Sequence, residues 1–566
     1  MNEILLKNAC VIDPINGVCG ELIDLCMKDG WITDSVSEKA LILDAQGYLT
    51  LPGGIDSHSH VCGTKVNFGR YMSPNDMRAG REISRGIMHP ISGYSVPTTY
   101  ANSYRYSAMG YTTILEGAMA PLEARHTHEE FMATPLQDMM ANTLFDGNWN
   151  IMEAVHNKDL KRAAAIVGWT LSAVKGFGIK LTNPGGTEAW GWGNDIQSIH
   201  EEVPDFGVTP AEIITTMIQA NEMLNLPHSV HLHCNNLGMP GNYATTLETM
   251  DLAPDLNEKR QTLYLTHVQF HSYGGSTWGD MDSRTEEISK KLAACPHIAI
   301  DMGQVLFGRT TTMTADGPME WRLYTLHHNK WSNHDVELET GSGIIPVYYN
   351  RKNLVNSIMW AIGLELALLA RDPWKIMLTT DNPNGAPFVR YPEIIALLMS
   401  QKYRDAVSHT IHPRTEHRVP LFALDRELDF YEIAIMTRAA QAKALGILDQ
   451  GKGHLGFDAR ADVAVYPIHI DSIDPARNYT EIEEAFKKTL FTIKGGTLVT
   501  RDGEVIVEEK NRTFWVDPQI SEEYDMTIDQ QFRTQFDHYY SVRMNNYPVS
   551  ENYIPRGVCI KTKTPL

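Results

Sequence analysis

The chain has 566 residues, which is too long for one ordinary domain, and it predicts one barrel-sized domain with one or two smaller ones. Its formal charge of −20 argues against nucleic-acid binding, which requires a basic face. The seven cysteines form no Cys-x-x-Cys pair, which argues against a disulfide framework, a zinc ribbon or an iron–sulfur cassette and favours the reducing cytoplasm. A secretory signal is not evident, and the longest apolar run, SIMWAIGLELALLA, is too short to span a bilayer.

Both ends of the chain are predicted to be rich in short strands. Within residues 1–51, IDLCMKDGWITD alternates apolar and polar residues around Asp29-Gly30, a dipeptide typical of β-hairpin turns. Within residues 420–515, FTIKGGTLVTRDGEVIVEE repeats this pattern and turns at Asp502-Gly503. Residues 516–566 are polar and aromatic without a clear period, which predicts an extended tail, a candidate for contact with a partner protein.

The middle of the chain, residues 52–419, alternates short β-branched runs with helical stretches such as AEIITTMIQANEML, RTEEISKKLAA and LVNSIMWAIGLELALLA. The runs are GIDSHSH, YTTILEGAM, AVKGFGIKLTNPGG, SVHLHCNN, LYLTHVQFH, HIAIDMGQ and KIMLTTDNPNG, with a weaker eighth near NIMEAV at residues 150–155. This order predicts an α/β fold of the (β/α)8 TIM-barrel type, in which functional groups lie at the carboxyl ends of the strands.

Several of these predicted strands end in a side chain that can bind a metal ion. In chain order the side chains are His58 and His60, Lys180, His233, His267 and Asp381. Nitrogen and oxygen ligands without thiolates suit zinc or a similar divalent ion. A desolvated lysine beside cations loses its proton. The neutral amine can then add CO2, and the resulting carbamate could bridge two metal ions that activate a hydroxide.

Neighbouring residues could take the ligand role at three of these positions. They are Lys175 for Lys180, His231 for His233 and His271 for His267. We favour the residue nearer the strand end in each case, and the odd spacing of the two lysines turns Lys175, expected in mid-strand, to the opposite face. The pair His126 and His128 is expected at the surface start of a helix and not as a ligand pair. Asp381 could also be a turn-capping residue before Asn-Pro.

The motif PGGIDSHSH, the strand-end lysine, the two later histidines and the final aspartate resemble the amidohydrolase superfamily. The two ends of the chain support this resemblance. The segments VIDPINGVCGELIDLCMKDGWI and RAAQAKALGILDQGKGHLGFDARADVAVY resemble that superfamily's terminal segments. The resemblance implies that residues before 52 and after about 420 pack together as a small composite β-sandwich beside the barrel. It also implies two divalent ions, with zinc the first choice, bridged by a carboxylated Lys180.

A narrower resemblance is to the A subunits of formylmethanofuran dehydrogenases. It is carried by HVCGTKVNFGRYMSPNDMR, GFGIKLTNPGGTEAWGWG, SVHLHCNNLGMPGN, LTHVQFHSYGG and LTTDNPNGAPF. It implies that formate and the amine of methanofuran interconvert with N-formylmethanofuran and water, the CO2-fixing step of methanogenesis. It also implies partner subunits that carry tungsten- or molybdenum-pterin and iron–sulfur centres, with no flavin, pterin or cluster on this chain.

For such a reaction, Asp381 is the expected proton acceptor and donor, in addition to its role as a ligand. Formate requires a fixed cation, and Arg284 is the candidate, although it could instead pair with Asp282 or Glu286 at a helix start. Two further functions stay open. One is a stand-alone amidohydrolase, either a cyclic amidase or an N-acyl deacylase, and the second is a non-catalytic scaffold subunit.

Overall fold

The computed structural model describes residues 3–191, 193, 195–257, 260–336, 339–508 and 511–566. In these ranges the strands are β1 Glu3–Asp13, β2 Val18–Lys28, β3 Trp31–Thr33, β4 Leu41–Asp44, β5 Leu49–Pro52, β6 Gly54–Ser59, β7 Tyr111–Met119, β8 Asp138–Leu144, β9 Gly178–Thr182, β10 Val230–His233, β11 Leu263–Leu265, β12 Ile298–Asp301, β13 Gly308–Thr314, β14 Ser332–Val336, β15 Glu339–Tyr349, β16 Ile376–Met377, β17 Val463–Tyr466, β18 Phe491–Lys494, β19 Thr497–Arg501, β20 Glu504–Val505, β21 Thr513–Gln519 and β22 Gly557–Lys563.

The α-helices in the same ranges are α1 Thr64–Met72, α2 Pro74–Ala79, α3 Thr99–Ala108, α4 Ala124–Met132, α5 Trp149–His156, α6 Leu160–Val174, α7 Gly186–Gly191, α8 Pro210–Met223, α9 Tyr243–Asp251, α10 Thr285–Ala294, α11 Gly317–His327, α12 Leu354–Leu369, α13 Tyr391–Met399, α14 Gln401–Ser408, α15 Phe430–Ala434, α16 Ala440–Ala444, α17 Tyr479–Lys487 and α18 Glu522–Tyr539. None of the helices that the structure describes combines the length and apolar character needed to cross a bilayer.

A parallel barrel forms the centre of the described chain. Its strands pair in the order β6-β7-β8-β9-β10-β11-β12-β16, and a parallel bridge between Ser59 and Asn382 joins the last strand end to the first. The strands are buried along their whole length, as expected when helices cover the outside of a barrel and side chains fill the inside. The predicted (β/α)8 fold is confirmed.

One predicted strand was wrong. Residues 150–155 lie in helix α5, and the third barrel strand is β8, with the sequence DMMANTL. The Asn148 side chain caps α5 by accepting hydrogen bonds from the backbone N–H groups of Asn150 and Ile151. Ile151 and Val155 then share one helix face at a spacing of four residues and are both buried. In a run of only six residues, apolar positions with helical spacing are hard to distinguish from the continuous apolar block of a buried strand.

Both ends of the chain contribute strands to one sheet beside the barrel, as predicted. Hydrogen bonds join the strands in the order β20-β19-β18-β17-β5-β1-β2-β3, with β4 on β1. The predicted turns at Asp29-Gly30 and Asp502-Gly503 join antiparallel neighbours. A buried ion pair ties the sheet segment to the start of barrel strand β8, because the Lys452 ammonium lies 2.6 Å from Asp138 Oδ2.

Two further pieces complete the described chain. Strands β13, β14 and β15 form a small antiparallel sheet that, with α11, lies between the seventh and eighth barrel strands. The extended tail predicted at residues 516–566 was wrong, because β21 and β22 are parallel neighbours joined through α18. Helix α18 packs on the barrel side by stacking Phe532 on Trp169, with ring centroids 4.5 Å apart. Helix α18 has few apolar residues among many polar ones, so its helical periodicity was not recognised in the sequence.

Candidate metal centre

The carboxyl ends of five barrel strands surround one cavity of about 370 Å³. All six side chains that the sequence suggested as metal ligands line it, namely His58, His60, Lys180, His233, His267 and Asp381. Each has at most 6 % of its surface exposed. These residues are up to 323 positions apart in the chain, so the barrel alone brings them together, as strand-end positions in this fold require.

The first pair of histidines faces Asp381. The Asp381 Oδ1 atom lies 3.2 Å from Nε2 of His58 and 3.2 Å from Nε2 of His60. The Nε2 atom of His267 lies 3.9 Å from Asp381 Oδ2. Both Asp381 and His267 have left-handed backbone conformations, with φ of 50° and 37°. Residues other than glycine reach this region at a cost, so the surrounding structure must hold the backbone of both residues there.

Carboxylates orient the two histidines of the first pair from behind. Nδ1 of His58 lies 3.0 Å from Asp301 Oδ2, and Nδ1 of His60 lies 2.9 Å from Glu116 Oε1. A carboxylate only accepts hydrogen bonds, so each ring places its proton on Nδ1 and leaves a lone pair on Nε2. Glu116 is held as a carboxylate, because the Lys65 ammonium 2.8 Å away and His60 overcome the effect of burial and lower the pKa of Glu116 to about 2.

This arrangement fits a bound cation. Two imidazole lone pairs and the Asp381 Oδ1 atom, all acceptors, face one another at 3.2 Å. Nε2 of His58 and Oδ1 of Asp381 are buried and have no hydrogen-bond partner among the described residues. Acceptors brought so close repel one another unless a positive charge lies between them. Imidazole nitrogen with carboxylate oxygen is a donor set that suits zinc and similar divalent ions.

Lys180 lies inside the barrel and not at the surface. It is 2 % exposed, and its ammonium lies 3.5 Å from Thr266 Oγ1. Burial lowers the pKa of Lys180 to about 8, although Asp381 and Asp301 act in the opposite direction. The competing lysine, Lys175, does not lie in mid-strand as expected. It follows α6 with φ of 56°, and its ammonium lies 4.0 Å from the centre of the Trp515 ring.

The competing histidines, His231 and His271, lie close to the cavity but do not line it. His231 is buried one layer below His233 and bonds to His228, with 3.0 Å between Nδ1 and Nε2. His271 is buried against His267, with ring centroids 5.3 Å apart. Within the described lining, His233 and His267 are thus the members of these two pairs that reach the cavity.

The two histidines on helix α4, His126 and His128, lie in different environments. His126 is partly exposed and contacts Glu130. The expected surface position was wrong for His128, because its ring is fully buried and its Nε2 lies 2.9 Å from the carbonyl oxygen of Val174. Residues two apart on a helix point in different directions, so His128 on α4 is buried while His126 is not. His128 therefore packs in the core and His126 contacts Glu130, and the two do not face a shared ion.

Comparison with known proteins assigns the chain to a family. The pattern of the amidohydrolase family matches residues 41–507. The chain belongs to the amidohydrolase family. The protein FwdA of Methanocaldococcus jannaschii is 49 % identical over 559 residues and 97 % of each chain. The A subunit of the formyltransferase/hydrolase complex Fhc of Methylorubrum extorquens is 32 % identical over 526 residues and 90 % of each chain.

A solved structure agrees with these relatives. The crystal structure of the complex FhcABCD from Methylorubrum extorquens with methylofuran contains a chain that covers 100 % of this amidohydrolase and is itself fully covered. The two chains share 29 % of their residues and superpose with a TM-score of 0.89. The predicted resemblance to the A subunits of formylmethanofuran dehydrogenases is therefore confirmed.

The structure does not bring Arg284 into the cavity of this amidohydrolase. Its guanidinium lies 3.0 Å from Asp282 and 3.2 Å from Glu287, at the start of α10. Arg284 is also not among the described residues that line the cavity, whereas Trp278, in the loop before it, is. The pairing with Asp282 was foreseen as the competing possibility, and a carboxylate-binding role for Arg284 stays a prediction.

Three carboxylates of the site were missed by sequence reasoning. They are Glu116 and Asp301, behind the first histidine pair, and Asp316, which lies 3.1 Å from Nε2 of His233. Glu116 and Asp301 stand within the runs YTTILEGAM and HIAIDMGQ, so their strand positions were a usable signal. Asp316 follows β13 in an insertion, and nothing in its local sequence marks it as part of the site.

Proposed function

We propose that this amidohydrolase is the metal-dependent subunit that interconverts N-formylmethanofuran plus water with formate plus the methanofuran amine. The observation that carries the proposal is the convergence of imidazole, amine and carboxylate groups on one buried cavity. The names of the relatives support the substrate class, because one is the A subunit of a formyltransferase/hydrolase complex and the corresponding crystal structure contains methylofuran.

Two divalent ions, with zinc the first choice, would be held in the cavity. The proposed ligands are His58, His60, Lys180, His233, His267 and Asp381. Ions bound there would polarise the formyl oxygen and make the attacking water more acidic. Lys180 is proposed to bridge them as a carbamate, because its buried amine, with a pKa lowered to about 8, is neutral more often than an exposed lysine and can react with CO2.

Asp381 is the proposed proton carrier. In hydrolysis a water oxygen bonds to the formyl carbon while its proton passes to a carboxylate oxygen of Asp381. The carbon–nitrogen bond then breaks, and Asp381 returns the proton to the departing nitrogen, so that formate and amine are released. Microscopic reversibility lets the same groups run the condensation. The Asn384 side-chain amide donates a hydrogen bond to Asp381 Oδ2 at 2.8 Å and holds the carboxylate in place for both transfers.

The walls of the cavity favour a substrate with an apolar, aromatic body. Phe270, Trp278, Met313 and Leu323 line the cavity together with the polar groups. An apolar wall excludes water, which strengthens electrostatic interactions inside and limits the hydrolysis that competes with condensation. The amine end of a furan-bearing substrate would reach the histidines, with its ring against these side chains.

The proposal includes partners. Iron–sulfur subunits, together with one that carries a tungsten- or molybdenum-pterin, would reduce CO2 and deliver formate to this chain. The proposed contact with one of them is residues 516–566, which include most of β21 together with α18 and β22.

The test uses the purified chain loaded with zinc and N-formylmethanofuran as substrate. We expect about two zinc ions per chain and release of formate, and a fall of about 10²- to 10⁴-fold in kcat in Asp381→Asn. Less than one zinc ion per chain together with no release of formate would favour the non-catalytic scaffold. Hydrolysis of cyclic amides or acyl amino acids in preference to the formyl substrate would favour the stand-alone amidohydrolase.

A further inference from the structure

The His233 ring is held from outside the barrel strands. It is 3 % exposed and lines the cavity, and its Nε2 atom lies 3.1 Å from Oδ2 of Asp316. Asp316 is itself 2 % exposed and stands between β13 and α11, far along the chain from β10. A buried imidazole–carboxylate contact of this kind persists only when the surrounding structure holds both groups.

The remaining contacts of Asp316 fix its orientation. Its Oδ1 atom accepts one hydrogen bond from the Asn183 side-chain amide at 3.0 Å and another from the backbone N–H of Met319 at 3.1 Å. The second bond makes Asp316 the N-cap of α11. The Asn183 oxygen in turn accepts a hydrogen bond from the Asn235 amide at 2.8 Å, which defines which end of Asn183 faces Asp316.

These contacts assign the tautomer of His233. Asp316 accepts hydrogen bonds through both oxygens, so the His233 ring must donate from Nε2. The lone pair of His233 then lies on Nδ1. This differs from His58 and His60, whose rings donate from Nδ1 and leave the lone pair on Nε2.

We propose that Asp316 is a positioning residue, which sets the Nδ1 lone pair of His233 as a metal-binding atom and couples the metal centre to α11. The inference rests on the proposed function, since it assigns His233 as a ligand. Helix α11 contributes Met319 and Leu323 to the cavity wall. The same carboxylate therefore caps the helix that faces the substrate and orients the ligand behind it.

The plainer explanation is that Asp316 only caps α11. Serine and asparagine cap a helix about as well as aspartate. The Asp316→Ser variant would keep the cap but is too short to reach His233. In Asp316→Asn the amide oxygen keeps the two bonds that Oδ1 accepts, so the NH2 group faces His233 Nε2 and favours the ring tautomer with its proton on Nδ1. Asp159→Ser is the matched control, because Asp159 caps α6 through the N–H of Arg162 and is exposed, away from the cavity.

The experiment measures zinc affinity of the full chain by competition with a chelator, the visible spectrum of the cobalt-loaded chain, and the melting temperature without metal. We expect Asp316→Ser and Asp316→Asn both to bind zinc about 10- to 100-fold more weakly, because neither accepts a hydrogen bond from His233 Nε2, and Asp159→Ser to match the parent. The cobalt spectrum should change in both Asp316 variants, while the melting temperatures without metal stay close to that of the parent.

Two results would overturn the inference. In the first, both Asp316 variants keep zinc affinity within about twofold of the parent chain, well below the expected loss. In the second, Asp316→Ser and Asp159→Ser lose affinity equally, which would assign the effect to helix capping. Failure of the parent chain itself to bind zinc would instead refute the proposed function, and the inference with it.

Discussion

Glu365 makes the stability of this protein depend on pH. It lies in α12, fully buried, and accepts hydrogen bonds from the hydroxyl groups of Ser283 and Thr285 and from the backbone N–H of Leu421. Burial raises the pKa of Glu365 to about 7 from its ordinary value of 4.5, and the hydrogen bonds offset only part of that rise. The folded state therefore binds this proton more tightly than the unfolded state does.

The sign and size of the effect follow from linkage. A raised carboxyl pKa contributes stability below pH 4.5, and that contribution is lost as the pH rises through 7. The difference of about 2.5 pKa units corresponds to about 3 kcal/mol, of which each unit contributes about 1.4 kcal/mol. For a chain of 566 residues, about 3 kcal/mol corresponds to about 2–3 °C in melting temperature.

Replacing Glu365 by Gln removes the titration but keeps a group that can accept hydrogen bonds. We expect the melting temperature of Glu365→Gln, relative to the parent chain, to rise by about 2–3 °C between pH 5 and pH 8.5. Scanning fluorimetry at several pH values measures this difference. Glu504→Gln is the control, because Glu504 is exposed and its replacement should give a constant difference. A difference for Glu365→Gln that does not change with pH would refute the reasoning.

Three further predictions concern the site. Lys180→Ala should lower zinc content and abolish formate release, whereas Lys175→Ala should leave both unchanged, and equal effects in metal analysis would reject the assignment of Lys180. Glu116→Gln should weaken zinc binding about 10- to 100-fold, as measured by chelator competition. The reason is that an amide at position 116 would hold the His60 imidazole less firmly than the carboxylate does. Arg284→Gln should leave the inhibition constant of formate as a product close to that of the parent chain, because Arg284 pairs with Asp282 and Glu287 outside the cavity lining. A rise of at least about tenfold, which corresponds to about 1.4 kcal/mol, would instead support the predicted carboxylate-binding role of Arg284.

The strand-end residues could be predicted because two simple regularities combine there. In a parallel barrel the strands end at one face, and residues two apart on a strand share a side, so His58 with His60 and the later strand ends had to converge. That His233 and not His231 lines the cavity followed from the order of residues along one strand. The hairpins near both termini were equally easy to predict, since Asp-Gly turns mark them directly.

Contacts between distant segments could not be predicted in the same way. The bond between Asp316 and His233 joins an insertion to a barrel strand, and no local period connects the two. The placement of Lys175 failed for a related reason, because a left-handed turn after α6 interrupts what looks like one continuous strand. Helix α18 was missed because only one narrow face of it, carrying Ile528, Phe532 and Phe536, is buried.

The sheet built from both termini also affects how the chain folds during its synthesis. Strand β5 pairs with β17 through partners such as Pro52 and Val463, which closes a loop of about 410 residues. During synthesis the first strands emerge long before that partner exists, and their edge stays open to other chains. Ribosome-bound nascent chains that end before residue 463 should therefore depend on chaperones, and aggregation in the cell should begin at the amino terminus.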